Sequence, residues 1–112
     1  MVLRLAGAFL YVAAASAQAG DRTVETALAV ALLDVVEEHC AAEVTVDDDR
    51  RAAVFTTFHD YDVQGWQSLI AGPLNRFYED FLYDLARGRE GFCRRAPAFA
   101  EASGHPGLLK LR

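Results

Sequence analysis

The sequence has only two cysteines, one tryptophan and three histidines, and it lacks most of the motifs that accompany catalysis. It contains no C-x-x-C pair, no C-x-x-C-H haem-attachment motif and no glycine-rich phosphate loop. Its serines, Ser16, Ser68 and Ser103, stand in no recognisable setting for a nucleophile. These absences argue against redox, haem, nucleotide and acyl-transfer chemistry. They predict a protein that is not an enzyme and carries no cofactor.

Residues 1–19 have the layout of a cleavable secretory signal. Arg4 precedes an apolar run from Leu5 to Ala15, which is shorter than the ~20 residues needed to cross a bilayer. Small residues at Ala17 and Ala19 match the signal-peptidase rule, so we expect cleavage after Ala19. An uncleaved membrane anchor is the alternative. The preferred interpretation is a periplasmic or secreted protein with one domain over 20–112 and no stable membrane insertion.

The two cysteines, Cys40 and Cys93, are expected to form one disulfide, because an even pair in an exported chain is usually oxidised. They lie far apart in the sequence, which does not suit a redox-active pair. A mature chain of this size is marginal for a self-sufficient core, so a covalent link matters. The chain-entropy model assigns a loop of this length about 4 kcal/mol of stabilisation.

Charge is distributed unevenly along the chain. Residues 21–84 carry 14 acidic and 4 basic side chains, whereas residues 85–112 carry 2 acidic and 6 basic side chains. The acidic body argues against nucleic acid as a partner. The basic C-terminal tail either docks on the acidic body or reaches a partner. Arginine outnumbers lysine ten to one, a bias associated with GC-rich bacterial genomes.

Apolar residues recur with the 3.6-residue period of a helix, and no stretch alternates cleanly enough to predict a strand. The sequence therefore predicts an all-α fold, a small bundle of about four helices stapled by Cys40–Cys93. The expected helices cover 23–43, 48–61, 63–71 and 73–93. Thr23 is expected to cap the first, and Asp47 with the next two aspartates to open the second. Residues 44–46 are expected to be an extended connector.

The remaining boundaries depend on glycine and proline. Gly72-Pro73 is expected to end the third helix, and the fourth continues through Gly88 and Gly91, with or without a bend. Both cysteines then lie near C-terminal helix ends, which predicts roughly parallel first and fourth helices. From about residue 96 we expect a loosely structured basic tail, whose final leucines dock or fray.

The stretch HDYDVQGW, residues 59–66, raises the question of a small site. His59 and Asp62 are three positions apart, but a metal site needs three or four ligands, so they are weak candidates. The preferred interpretation is a helix corner in which Asp62 caps the next helix and Tyr61 faces the core. His39, on the apolar face of the first helix, is expected to be buried and neutral, and is another weak metal candidate.

One group of residues is a candidate contact surface. On the fourth predicted helix, Tyr83 faces outward with arginine and glutamate around it, an arrangement favoured at interfaces. The preferred interpretation is a plain solvated face, and a contact surface is the alternative. The candidate interaction surface comprises Arg76, Glu79, Tyr83 and Arg87.

The overall layout resembles that of small exported two-cysteine bacterial proteins of unknown function. The similarity rests on Cys40, the Phe92-Cys93 pair and the short basic tail Leu108-Leu109-Lys110-Leu111-Arg112. It resembles the acid-stress chaperones of the periplasm only in size, compartment and disulfide. The leading hypothesis is a non-enzymatic module, chaperone-like or inhibitory, that binds another periplasmic or secreted protein. The alternative hypothesis is a small-molecule or metal carrier in the helix bundle, using His39 or His59.

Overall fold

A computed structural model describes residues 22–63 and 67–112. In this part of the chain it shows four helices and one two-stranded sheet. Helix α1 is described over residues 22–39, and the other elements are β1 (Val44–Val46), α2 (Asp48–Val63), α3 (Gln67–Arg87), α4 (Arg89–Ala102) and β2 (Leu109–Leu111). The predicted small helical bundle with a Cys40–Cys93 bridge is confirmed, and the sheet is an addition to it.

Helix α1 lies at the centre of the structure. From Ala29 to Val36 every residue except Asp34 is buried, which agrees with the wide apolar arc in the sequence. The predicted boundaries of this helix are wrong. Thr23 lies inside the helix and is buried, and the helix stops after His39 because the chain turns at Cys40 towards β1.

Helix α2 begins as predicted and packs beside α1. A side-chain oxygen of Asp47 accepts the N–H of Arg50 at 2.9 Å, the hydrogen bond of an N-cap. Arg51 reaches across to α1, where its Nε lies 2.5 Å from a carboxylate oxygen of Glu37. The same guanidinium lies 4.7 Å from the ring centroid of Phe55. The start of α2 is thus fixed both by its own cap and by an ion pair to its neighbour.

The predicted helices 63–71 and 73–93 have different boundaries in the structure. Gly72-Pro73 does not end a helix: Pro73 lies inside α3, which loses one backbone hydrogen bond there and continues. The break falls at Gly88 instead, so residues 73–93 are not one continuous helix. Helix α4 then runs through Gly91 and Pro97.

Aromatic packing joins α3 and α4 across the break. The ring of Phe81 lies 6.0 Å from that of Phe92 and meets the edge of Phe99 at 5.5 Å. Phe92, which lies within the continuous helix predicted over 73–93, therefore faces α3 from α4. The break at Gly88 turns one long apolar stripe into two facing ones.

The disulfide connects the end of α1 to the beginning of α4. Cys40 and Cys93 are both fully buried, with their Cα atoms 5.3 Å apart. Past the other end of α4, the ring Nε2 of His105 lies 3.1 Å from the carbonyl oxygen of Glu25, near the start of α1. Helices α1 and α4 therefore run antiparallel. The predicted parallel arrangement is wrong because α4 starts at Arg89, which places Cys93 in its first turns.

Helix α4 ends in a Schellman motif. Gly104 has a φ of 93°, its N–H bonds to the carbonyl of Glu101, and the N–H of His105 bonds to the carbonyl of Ala100 at 2.9 Å. Glycine favours this left-handed conformation because it has no Cβ. The turn sends the chain back towards β1.

The C-terminal segment is ordered, which differs from the loosely structured tail predicted from residue 96. Strand β2 pairs antiparallel with β1, with Val44 opposite Leu111 and Val46 opposite Leu109. Flanking the strands, the Asp47 N–H bonds to the Leu108 carbonyl and the Arg112 N–H to the Glu43 carbonyl, each at 2.9 Å. The expected connector 44–46 is thus a strand, too short to show alternation in the sequence.

Replacing both cysteines, as Cys40→Ser with Cys93→Ser, should lower the free energy of unfolding by up to about 4 kcal/mol, because the unfolded chain loses its covalent loop. Urea unfolding followed by circular dichroism measures this. Reduced wild-type protein is the control and should match the double variant. Equal stability of the oxidised protein and the double variant would show that the bridge does not constrain the fold.

The docked tail makes a second prediction. Leu108 is 1% exposed and Leu111 is 56% exposed. Leu108→Ala should therefore cost about 3 kcal/mol through lost burial and a cavity, whereas Leu111→Ala should cost well under 1 kcal/mol. Thermal and urea unfolding of the two variants check this difference. Similar costs for both would contradict the docking of the tail.

Candidate functional site

The stretch 59–66 does not have the helix boundary that was predicted at Asp62. Helix α2 continues to Val63, so Asp62 lies within it and does not cap a helix that begins at residue 63. His59 and Asp60 are exposed, and Tyr61 is half-buried. Residues 64–66, including Trp66, lie outside the described residues, as does the side chain of Asp62. The structure therefore does not support a metal site at His59 and Asp62.

The other histidine candidate is also on the surface. The side chain of His39 is 39% exposed, and its Nε2 lies 3.5 Å from a carboxylate oxygen of Glu38. The predicted buried His39 is wrong because α1 ends at this residue, where the chain leaves the core. Among the side chains that the structure describes, no three histidine, cysteine, aspartate or glutamate residues are grouped as metal ligands would be.

Beside the disulfide, Arg89 forms a polar junction that sequence reasoning missed. One guanidinium nitrogen of Arg89 donates to the His39 carbonyl at 2.7 Å and to Glu43 at 3.0 Å, and the other donates to Glu43 at 2.5 Å. The hydrogen bond from Arg89 holds the pKa of the Glu43 carboxyl below its ordinary value of 4.5. The fork also satisfies a carbonyl at the end of α1.

Two arginines of the basic C-terminal segment contact the acidic part of the chain within the fold. Arg89 binds Glu43, and the Nε of Arg112 donates to the Ala41 carbonyl at 2.7 Å. These contacts favour docking of the basic segment on the body for those two arginines. Other arginines of the same segment remain at the surface.

The candidate interaction surface lies on the outer side of α3. We call Arg76, Glu79, Tyr83 and Arg87 the α3 face, and all four side chains are exposed. The Tyr83 side chain is 67% exposed, and the guanidinium of Arg87 lies 5.9 Å from its ring centroid. The structure therefore brings together Tyr83 and Arg87, one turn apart on the same helix.

A cleft separates the end of α3 from the start of α4. This α3–α4 cleft has a volume of about 330 Å³ and is lined by Asp84, Arg87, Gly88, Gly91 and Arg95. Arg87 belongs both to the cleft and to the α3 face, so the two surfaces are continuous. In the sequence, the cleft is indicated only by Gly88 and Gly91, which lie among arginines. The sequence pattern alone predicts no more there than a bend in a continuous helix.

An apolar pocket adjoins this cleft. It has a volume of about 90 Å³, and we call it the aromatic pocket after three of its lining side chains, Phe81, Phe92 and Phe99. Asp84 and Arg95 line both cavities, so they mark the border between them. Arg95 is not among the residues predicted from the sequence, because its place beside the pocket depends on the break at Gly88.

Comparisons with protein-family models, with curated proteins and with solved structures return no match for this chain. The resemblance to small exported two-cysteine proteins therefore stays a prediction. In residues 22–63 and 67–112, no helix combines the length and apolar character that a membrane crossing requires. A function has to be argued from the surfaces just described.

The Arg89–Glu43 pair predicts a pH-dependent contribution to stability. Because the folded-state pKa of Glu43 lies below its unfolded value, the pair stabilises the fold above about pH 4.5, and this contribution is lost as the pH falls through the folded-state pKa. Glu43→Gln should therefore be less stable than wild type at neutral pH, with the difference shrinking towards about pH 3. Urea unfolding over this range measures it.

Glu90→Gln is the matched control for this measurement. The Glu90 carboxylate pairs with Arg94 at 2.8 Å, but both side chains are mostly exposed, so the variant should differ little from wild type at any pH. A stability difference for Glu43→Gln that is the same at neutral and acid pH would contradict the assigned role of its charge.

Proposed function

We propose that the protein is a non-enzymatic accessory module that binds another exported protein through the α3 face. The observation that carries the proposal is Tyr83, a large aromatic side chain that is two-thirds exposed beside an arginine. Tyrosine and arginine are among the residue types enriched at the few positions that dominate binding energy at protein interfaces.

The geometry of Tyr83 suits such a contact. Its ring is attached to a 21-residue helix through only two side-chain torsions, so fixing it on binding costs little conformational entropy. A cation near an aromatic face is weakly attractive in water and more so once a partner excludes water.

Two separate features support a periplasmic or secreted location. The buried Cys40–Cys93 disulfide is compatible with an oxidising environment, where such bonds persist. The secretory signal over residues 1–19 is a prediction from the sequence alone. Together they support a partner that is itself periplasmic or secreted. The acidic overall balance, net −5, supports a protein partner over nucleic acid.

The test is site-specific photo-crosslinking. A photoreactive residue placed at Tyr83 should capture a defined partner in a periplasmic extract, and Arg87→Glu should reduce that capture by about tenfold through loss of the favourable cation. A photoreactive residue at His59, on the exposed side of α2, is the matched control and should capture nothing comparable. Capture of the same proteins from both positions, or no capture at Tyr83, would overturn the proposal.

A further inference from the structure

We propose that the α3–α4 cleft and the aromatic pocket together bind an acidic segment of the partner protein that also carries a bulky apolar side chain. The apolar side chain would enter the pocket, and the neighbouring carboxylates would lie in the cleft. This inference rests on the proposed function and specifies the chemistry of the partner.

The aromatic pocket is lined by buried side chains at its base and by a partly exposed side chain at its edge. Leu32, Phe81, Phe92 and Ala96 are buried, while Phe99 is 43% exposed although it contacts the ring of Phe81. A void of about 90 Å³ beside them accommodates part of one aliphatic or aromatic side chain. Covering Phe99 would remove apolar surface from water, at roughly 25 cal/mol per Å².

The charged half offers two arginines that have no carboxylate partner among the described residues. Arg51, Arg89 and Arg94 form ion pairs with glutamates, whereas Arg87 and Arg95 form none among the described residues. Asp84 lines the same cleft, but it lies beyond ion-pair distance of both arginines. Arginine offers several N–H donors in a fixed fork that matches a carboxylate, so this half is suited to acidic side chains.

The two glycines keep the cleft open. A Cβ at Gly88 would enter empty space, and a Cβ at Gly91 would lie 3.0 Å from a guanidinium nitrogen of Arg95. The Arg95 side chain therefore lies along α4 over Gly91, at the border between the cleft and the pocket. This position allows Arg95 to bind a carboxylate adjacent to an apolar side chain in the pocket.

Charge complementarity selects an acidic occupant. Residues 21–84 carry a net charge of −10, so this chain repels acidic segments over most of its sequence. Residues 85–112 carry +4 and supply both arginines of the cleft. An acidic peptide is thus attracted to one corner and repelled elsewhere, which favours a single orientation. Short acidic–apolar segments present both features in a few residues.

The probe is a fluorescein-labelled acetylated pentapeptide amide, Glu-Asp-Phe-Asp-Glu, titrated into the oxidised full-length protein at low salt and followed by anisotropy. Two matched peptides replace the acids by their amides, or the phenylalanine by alanine. We expect each change to weaken binding by about tenfold, since each removes one half of the recognition. Arg95→Gln should weaken binding of the parent peptide to a similar degree.

Arg94→Gln is the control variant, because it removes the same charge from the next residue, whose guanidinium pairs with Glu90. It should leave the affinity within about twofold of wild type. Amide shifts in NMR spectra should map the parent peptide to Gly88, Gly91 and Phe99. Equal losses in Arg94→Gln and Arg95→Gln, or indifference to the phenylalanine, would show unspecific charge attraction and overturn the inference.

The two proposals fail separately. Absence of peptide binding together with a partner still crosslinked at Tyr83 would overturn the acidic–apolar site and leave the α3 face as the interface. Peptide binding in the cleft without any partner at Tyr83 would support the site and overturn the proposed function.

Discussion

The Cys40–Cys93 bridge is the constraint on which the other contacts of the structure depend. It holds the point where the chain leaves α1 against the first turns of α4. Arg89 lies one turn before Cys93 and uses this proximity to bind both the last carbonyl of α1 and Glu43. Strand β1 begins at Val44, directly after Glu43. The disulfide, the Arg89–Glu43 ion pair and the β1–β2 pairing therefore stabilise the same end of the molecule.

That arrangement also explains why a cleft lies between α3 and α4. The bridge fixes the start of α4, and the facing rings of Phe81 and Phe92 fix its distance from α3. The break at Gly88 then leaves a cleft between two helices that cannot separate freely. Arg87 and Arg95, on opposite sides of the break, are held near each other although neither has a carboxylate partner among the described residues.

The sequence predicted the parts of this fold that rest on strong local signals. The disulfide, the number of helices and the Asp47 cap all follow from residue types and spacing. The predicted helix boundaries are wrong where contacts between residues distant in sequence determine the structure. Pro73 and Pro97 are tolerated inside helices because packing outweighs one lost hydrogen bond. Alanines such as Ala96 and Ala100 form the buried side of α4, but they are too small to produce an apolar stripe by pattern. The site depends on the Gly88 break, so Arg95 could not be singled out.

The pairing of β1 with β2 joins residues 44–46 to residues 109–111, with Val44 opposite Leu111. Contacts between positions so distant in sequence are slow to form, because the entropy of closing the intervening loop must be lost before they contribute. The sheet cannot form until residues 109–111 have been synthesised, long after β1. A residue attached after Arg112 would begin beside Glu43 rather than in open solvent, because the Arg112 N–H bonds to the Glu43 carbonyl.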